Sequence, residues 1–127
     1  EYATTRDRIS PQFQTLINAG QRVSDVDYHT ALATRDTATH MLDHLLADCD
    51  AILAPSAPGP APKGLDATGD PLFSRMWNLL QVPSIALPYG TDRAGLPLGI
   101  QLIARRGEDA KLLDIAQWVH GLFVATA

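Results

Sequence analysis

Apolar positions along the chain fall into two helical stretches, then a mixture of short runs and a closing helix. Ser10-Pro11 is a helix start, with a serine oxygen able to accept an orphan backbone N–H and a proline where no N–H is needed. Phe13, Leu16 and Ile17 share a face behind it, and Gly20 supplies the stop. A second start follows at Ser24, with Asp27 three residues on in the manner of a capping box. Tyr28, Ala31, Leu32, Ala38, Met41, Leu42, Leu45 and Leu46 then recur at helical spacing, which predicts the longest helix, ending near Ala47.

From Ala51 the pattern changes. Ala51, Ile52, Leu53 and Ala54 form a continuous apolar run closed by Pro55, which predicts a buried, parallel strand covered on both faces. Prolines and glycines dominate the stretch 55–69, so it is expected to be a long loop, and loops of that length in compact domains commonly rim a site. Asp70-Pro71 opens a short helix through Leu72, Phe73, Met76, Trp77, Leu79 and Leu80, apolar around so much of its girth that burial is expected. Ser84 to Leu87 and Leu98 to Ala104 read as a hairpin across Gly90, Asp92, Gly95 and Pro97. Gly107-Glu108-Asp109 places acidic residues at the start of a last helix carrying Leu112, Leu113, Ile115, Ala116, Trp118 and Val119. The expected order is helix, helix, strand, helix, strand, strand, helix: residues 1–47 helical, 48–127 mixed.

Composition narrows the class. Of 127 residues, 46% are hydrophobic and 19% charged, the balance of a soluble globular protein. The net charge of -4, with both signs interspersed, gives no footprint for nucleic acid or an anionic membrane surface. Cys49 is the single cysteine, so no intrachain disulfide can form, and a cytoplasmic location is expected. No apolar run approaches the roughly 20 residues that span a bilayer.

The segment from Trp77 through Asn78, Gln81, Val82 and Pro83 to Pro88, followed by Gly95-Leu96-Pro97-Leu98-Gly99-Ile100-Gln101-Leu102-Ile103, strongly resembles the C-terminal end of amidase signature enzymes. There, a short helix with an asparagine leads to a G-x-P turn, a strand closing on proline and a G-L-P-x-G-x-Q-L strand. Asp50 to Pro58 resembles the family's D-x-x-x-x-P-T-x-P strand and turn. Two positions depart from the pattern: Gln81 stands where the family usually has glycine, and Ser56 where it has threonine. If position 81 needs a positive φ, the substitution costs roughly 1–2 kcal/mol.

The resemblance implies an α/β fold, a mixed sheet covered by helices, of which this chain is the C-terminal portion. It implies an amidase that hydrolyses a carboxamide to a carboxylate and ammonia or an amine through an acyl-serine, without metal or cofactor. The family's two serines and lysine lie in an upstream Gly/Ser-rich core, and this chain has no Gly-Gly-Ser-Ser run, so no catalytic residue is assigned and the chain alone is expected to be inactive. Its partners would be a small-molecule amide in the parent enzyme, and either further copies of itself or the missing N-terminal portion. The alternative is a non-catalytic binding or assembly remnant of such a protein.

Phe73, Trp77 and Asn78 are the candidate substrate-binding residues. The two aromatics, four apart after the long loop, could line an acyl pocket or simply pack in the core, and Asn78 could bond substrate or cap a turn. Ser56 and Lys63 share the loop and invite a serine–lysine dyad, but a lysine base needs desolvation that a Pro/Gly loop scarcely offers. His40 and His44, four apart, have the spacing of paired metal ligands, against a solvent-facing pair beside a Met41–Leu42 core stripe. Cys49 reads as a small buried residue rather than a nucleophile.

Overall fold

The computed structural model describes Thr4 and residues 8–126, with side chains through Phe123. It divides into two units, Glu1–Arg35 and Asp36–Ala127. In the first, helix α1 (Pro11–Gly20) starts as expected: the Phe13 N–H donates to Ser10 Oγ at 3.3 Å, and Gln21 N–H to Ile17 O closes the last turn. Its predicted apolar face buries no residue, and Phe13 and Leu16 are exposed. Helix α2 (Asp25–Leu45) runs through the division between the units. Ser24 Oγ accepts from Asp27 N–H at 3.1 Å and donates to the Asp27 carboxylate at 2.7 Å, so one hydroxyl satisfies an orphan donor and orients a first-turn charge.

The second unit carries β1 (Ile52–Pro55), α3 (Leu72–Leu80), β2 (Ser84–Thr91), β3 (Pro97–Ile103) and α4 (Asp109–Thr126). The element order is the one expected. The sheet has three strands in the order β1-β3-β2, and both pairings are antiparallel. This corrects the parallel reading of β1: a short apolar run states that a strand is buried and nothing about its direction. Full coverage also fails, since burial alternates along β1 and Leu53 is 61% exposed. The β2–β3 turn is built by Asp92, whose Oδ1 accepts from Ala94 N–H at 2.9 Å and Leu96 N–H at 2.8 Å while Gly95 takes φ 81°.

Strand alternation sorts side chains onto two faces. On one, Ile103 packs with Leu42 and Leu46, at the end of α2 and just beyond it, and with Trp77 and Leu80 of α3; Ile52 and Ala54 lie against them. On the other, Leu87 and Leu102 pack with Leu112 and Ala116 of α4. Leu46 and Ile103 are the large side chains sealed completely. Helices therefore cover both faces of a small sheet, an α/β arrangement.

Three other expectations change. Met41 is exposed, and the α2 stripe is Ala38, Leu42 and Leu46 instead. Helix α3 is buried on one face only; Leu72, Met76 and Leu79, which recur at i, i+4 and i+7, are 50–58% exposed. Cys49 is exposed, because it follows the end of α2 in a turn held by its N–H to Leu46 O. Among the described residues, no helix is long and apolar enough to cross a membrane.

Candidate functional site

Strand β1 ends at Pro55, and the chain then wanders through 56–71 before α3 begins. This Pro/Gly segment walls an open cavity of about 610 Å³, closed on its far side by Pro97 and Gly99 of β3. Prolines 58, 60, 62 and 71 supply rigid apolar surface, and Ser56, Thr68 and Asp70 supply the polar groups. An apolar hollow with a few polar groups at its edge suits a small organic ligand.

The cavity floor depends on two residues of the Gly99-Ile100-Gln101 motif. The Ser56 N–H donates to Gly99 O at 3.1 Å, which extends the β1–β3 ladder by one residue. A Cβ added at Gly99 would stand 2.5 Å from Ser56 Oγ, so glycine is what lets the serine side chain lie across β3. Among the described residues Gln101 is the buried polar side chain, 4% exposed and flanked across the two ladders by Ala54 and Ala86. Its Nε2 donates to Pro55 O at 2.9 Å and to Phe73 O at 3.0 Å.

The expected substrate-binding residues do not line this cavity. Phe73 is half-buried, with its carbonyl taken by Gln101. Trp77 is 7% exposed in the core, and its Nε1 is buried without a hydrogen-bond partner. Asn78 is exposed and donates from Nδ2 to Ser74 O at 3.3 Å, a bond within its own helix. Ser56 lines the cavity; Lys63 is exposed and outside the lining, so the desolvation a lysine base requires is lacking. His40 and His44 are both exposed, and among the described residues no group of three or more His, Cys, Asp or Glu side chains could hold a metal ion. Sequence reasoning does not single out Gln101. Its signal was a lone amide in the apolar strand Ile100-Gln101-Leu102-Ile103, where burial without partners would be costly.

Charge is arranged at the opposite end of β1. Lys111 Nζ lies 2.9 Å from Asp50 Oδ1 and 3.8 Å from Glu108 Oε2, joining the start of α4 to a residue two positions before β1. The hydrogen bond to Asp50 raises the lysine above its ordinary value of 10.5, with the two carboxylate charges adding and desolvation and Arg105 opposing. Arg105 Nη2 donates to Leu46 O, the cation at a helix C-terminus that the macrodipole favours.

The family profile described as Amidase matches residues 2–113. A glutamyl-tRNA(Gln) amidotransferase subunit of Syntrophus aciditrophicus is 36% identical over 99 residues, which are 72% of this chain and 20% of that protein. The chain thus spans about a fifth of the length of the curated relatives it matches. Among solved structures, an amidase superposes with a TM-score of 0.84 at 29% identity, over 96% of this chain and 31% of that one. The corresponding glutamyl-tRNA(Gln) amidotransferase subunit of Thermotoga maritima gives 0.64 at 32% identity, over 90% of this chain and 26% of that one. With its sequence matched almost from end to end and its fold superposed on a solved amidase, the chain belongs to the amidase family.

Proposed function

We propose that this chain is the C-terminal part of an amidase that hydrolyses a carboxamide to a carboxylate and ammonia or an amine. The single observation that carries the reading is the family match over residues 2–113, joined to relatives named for amide chemistry. In the parent, a serine attacks the carbonyl, a lysine relayed through a second serine takes its proton, and backbone N–H groups hold the oxyanion. Those groups come from the upstream part of the fold, and no cofactor or metal enters. The contribution of this chain is the wall of the substrate hollow formed by 56–71 with Pro97 and Gly99, backed by Phe73, Trp77 and Asn78. A small-molecule amide in a cytoplasmic enzyme fits that hollow, where the prolines would take its apolar body and the polar rim its head.

The open surfaces support association with the rest of the fold. On β2, Pro88 and the bulge before Gly90 blunt the outer edge of the sheet. On β1, Pro55 does so at one end, but the Ser56–Gly99 bond fixes the alternation so that the N–H and C=O of Leu53 also point away from β3 and stay open. The sheet therefore continues past β1, and the Leu72–Met76–Leu79 face of α3 is ready for cover. Those surfaces are also what favours a second reading, a non-catalytic assembly remnant that pairs through them.

Ammonia release from a panel of aliphatic and aromatic amides separates the possibilities for the chain alone. No release is expected. Release that scales with protein and vanishes in Ser56→Ala or Lys63→Ala would overturn the placement of the catalytic groups upstream.

A further inference from the structure

Loop 56–71 leaves β1 and returns at α3, and both of its ends meet one side chain. The carbonyl of Pro55, the residue before the loop, and that of Phe73, in the first turn of α3, accept the two hydrogens of the Gln101 amide at 2.9 and 3.0 Å. A primary amide nitrogen is suited to this, since it carries two donors set apart in one plane and can join carbonyls from different elements. An aliphatic side chain at 101 would leave both carbonyls without these donors. The sequence separations are 46 and 28 residues, so the bonds do nothing for local strand or helix geometry and act between elements.

We propose that Gln101 is the positioning residue of the cavity: its amide clasps the two ends of loop 56–71 and holds the wall in its binding shape before a ligand arrives. That the preformed wall serves an amide substrate rests on the function proposed above; the clasp itself does not, so the two can fail separately. With the clasp closed, the loop is tethered at both ends and at Ser56, and little ordering is left for a ligand to induce. With it open, β3 and its hairpin partner remain intact while the loop swings on Pro55 and the start of α3.

The lysines of the chain provide the test, because Lys63 lies in the loop and Lys111 within α4. In the full chain, a lysine-specific protease under native conditions reports loop opening at Lys63 and loss of the fold at Lys111. Gln101→Met, which keeps length and packing and removes both donors, is expected to speed cleavage at Lys63 by roughly tenfold or more, the factor of two lost net hydrogen bonds, with Lys111 unchanged. Parallel acceleration at both sites would mean a purely structural role and would overturn the proposal, as would no change at Lys63. Should Gln101→Met not fold, the wild-type chain decides by NMR. The Gln101 side-chain amide protons are expected to exchange with solvent far more slowly than those of the exposed Gln12 and Gln81; equal rates would overturn the clasp.

Discussion

Replacing Gln81 by glycine should stabilise the protein, and the structure sets the size of the effect. Gln81 ends α3 with φ 58° and ψ 38°, the non-glycine residue with positive φ among those described. The geometry is required: Gln81 N–H reaches Asn78 O at 3.2 Å and Val82 N–H reaches Trp77 O at 3.2 Å, the paired bonds of a helix that turns back through a left-handed residue. A Cβ in that conformation costs about 1–2 kcal/mol, which glycine recovers. Against this, glycine releases more entropy in the unfolded chain, about 0.4–1 kcal/mol. The Gln81 side chain is exposed, so no burial is lost with it. The net gain is about 0.5–1 kcal/mol, or roughly 2–4 °C in Tm for a domain of this size. Circular dichroism melts of Gln81→Gly and a Gln81→Ala control test it, since alanine keeps the strained Cβ and should leave Tm nearly unmoved. A glycine variant that melts at or below the wild type would refute the left-handed cap.

Other expectations are independent of that one. Gly99→Ala should destabilise by about 1–3 kcal/mol through overpacking against Ser56 Oγ, and a Ser56→Ala background should recover much of the loss in a denaturant double-mutant cycle; additive effects would contradict the contact. Ile103→Ala, at a fully sealed position, should cost about 2–5 kcal/mol by urea unfolding. Lys111, whose pKa is raised on folding, contributes stability that is complete below its unfolded value of 10.5 and is lost as pH rises through the higher folded value. Asp50→Asn should therefore flatten stability against pH above 10.5, and an unchanged alkaline limb would sink the assignment. Charged substitutions at Leu72, Met76 and Leu79 should weaken association of the chain, read by sedimentation, with Tm nearly unaltered.

Much of this was legible beforehand because the punctuation is local. Ser10-Pro11, Ser24 with Asp27, the Pro/Gly segment and the Asp92–Gly95 turn each act within a few residues, so every element appeared in order. The glycine missing at 81 was legible too, since its cost needs only a dihedral. What escaped depends on partners distant in sequence. Strand direction is set by the neighbour across the ladder, and Ile52 to Ala54 carry no mark of it. Cys49 and Met41 are small or apolar, yet their exposure follows from where α2 stops and which face meets Ile103. The cavity came from loop composition, but the Gln101 clasp joins residues 46 and 28 positions away and could be suspected only from an amide out of place. The exposed faces of α3 and β1 are the reverse case. The sequence marks them for burial, and the chain alone does not supply the cover.

On the proposed function, this chain completes an amidase. The direct measurement is amide hydrolysis by a chimera in which residues 2–113 replace the matching segment of the solved amidase that superposes at a TM-score of 0.84. Ammonia release above that of the same enzyme with the segment deleted is the predicted result. A chimera that folds cooperatively yet releases none would contradict the claim and favour the assembly remnant.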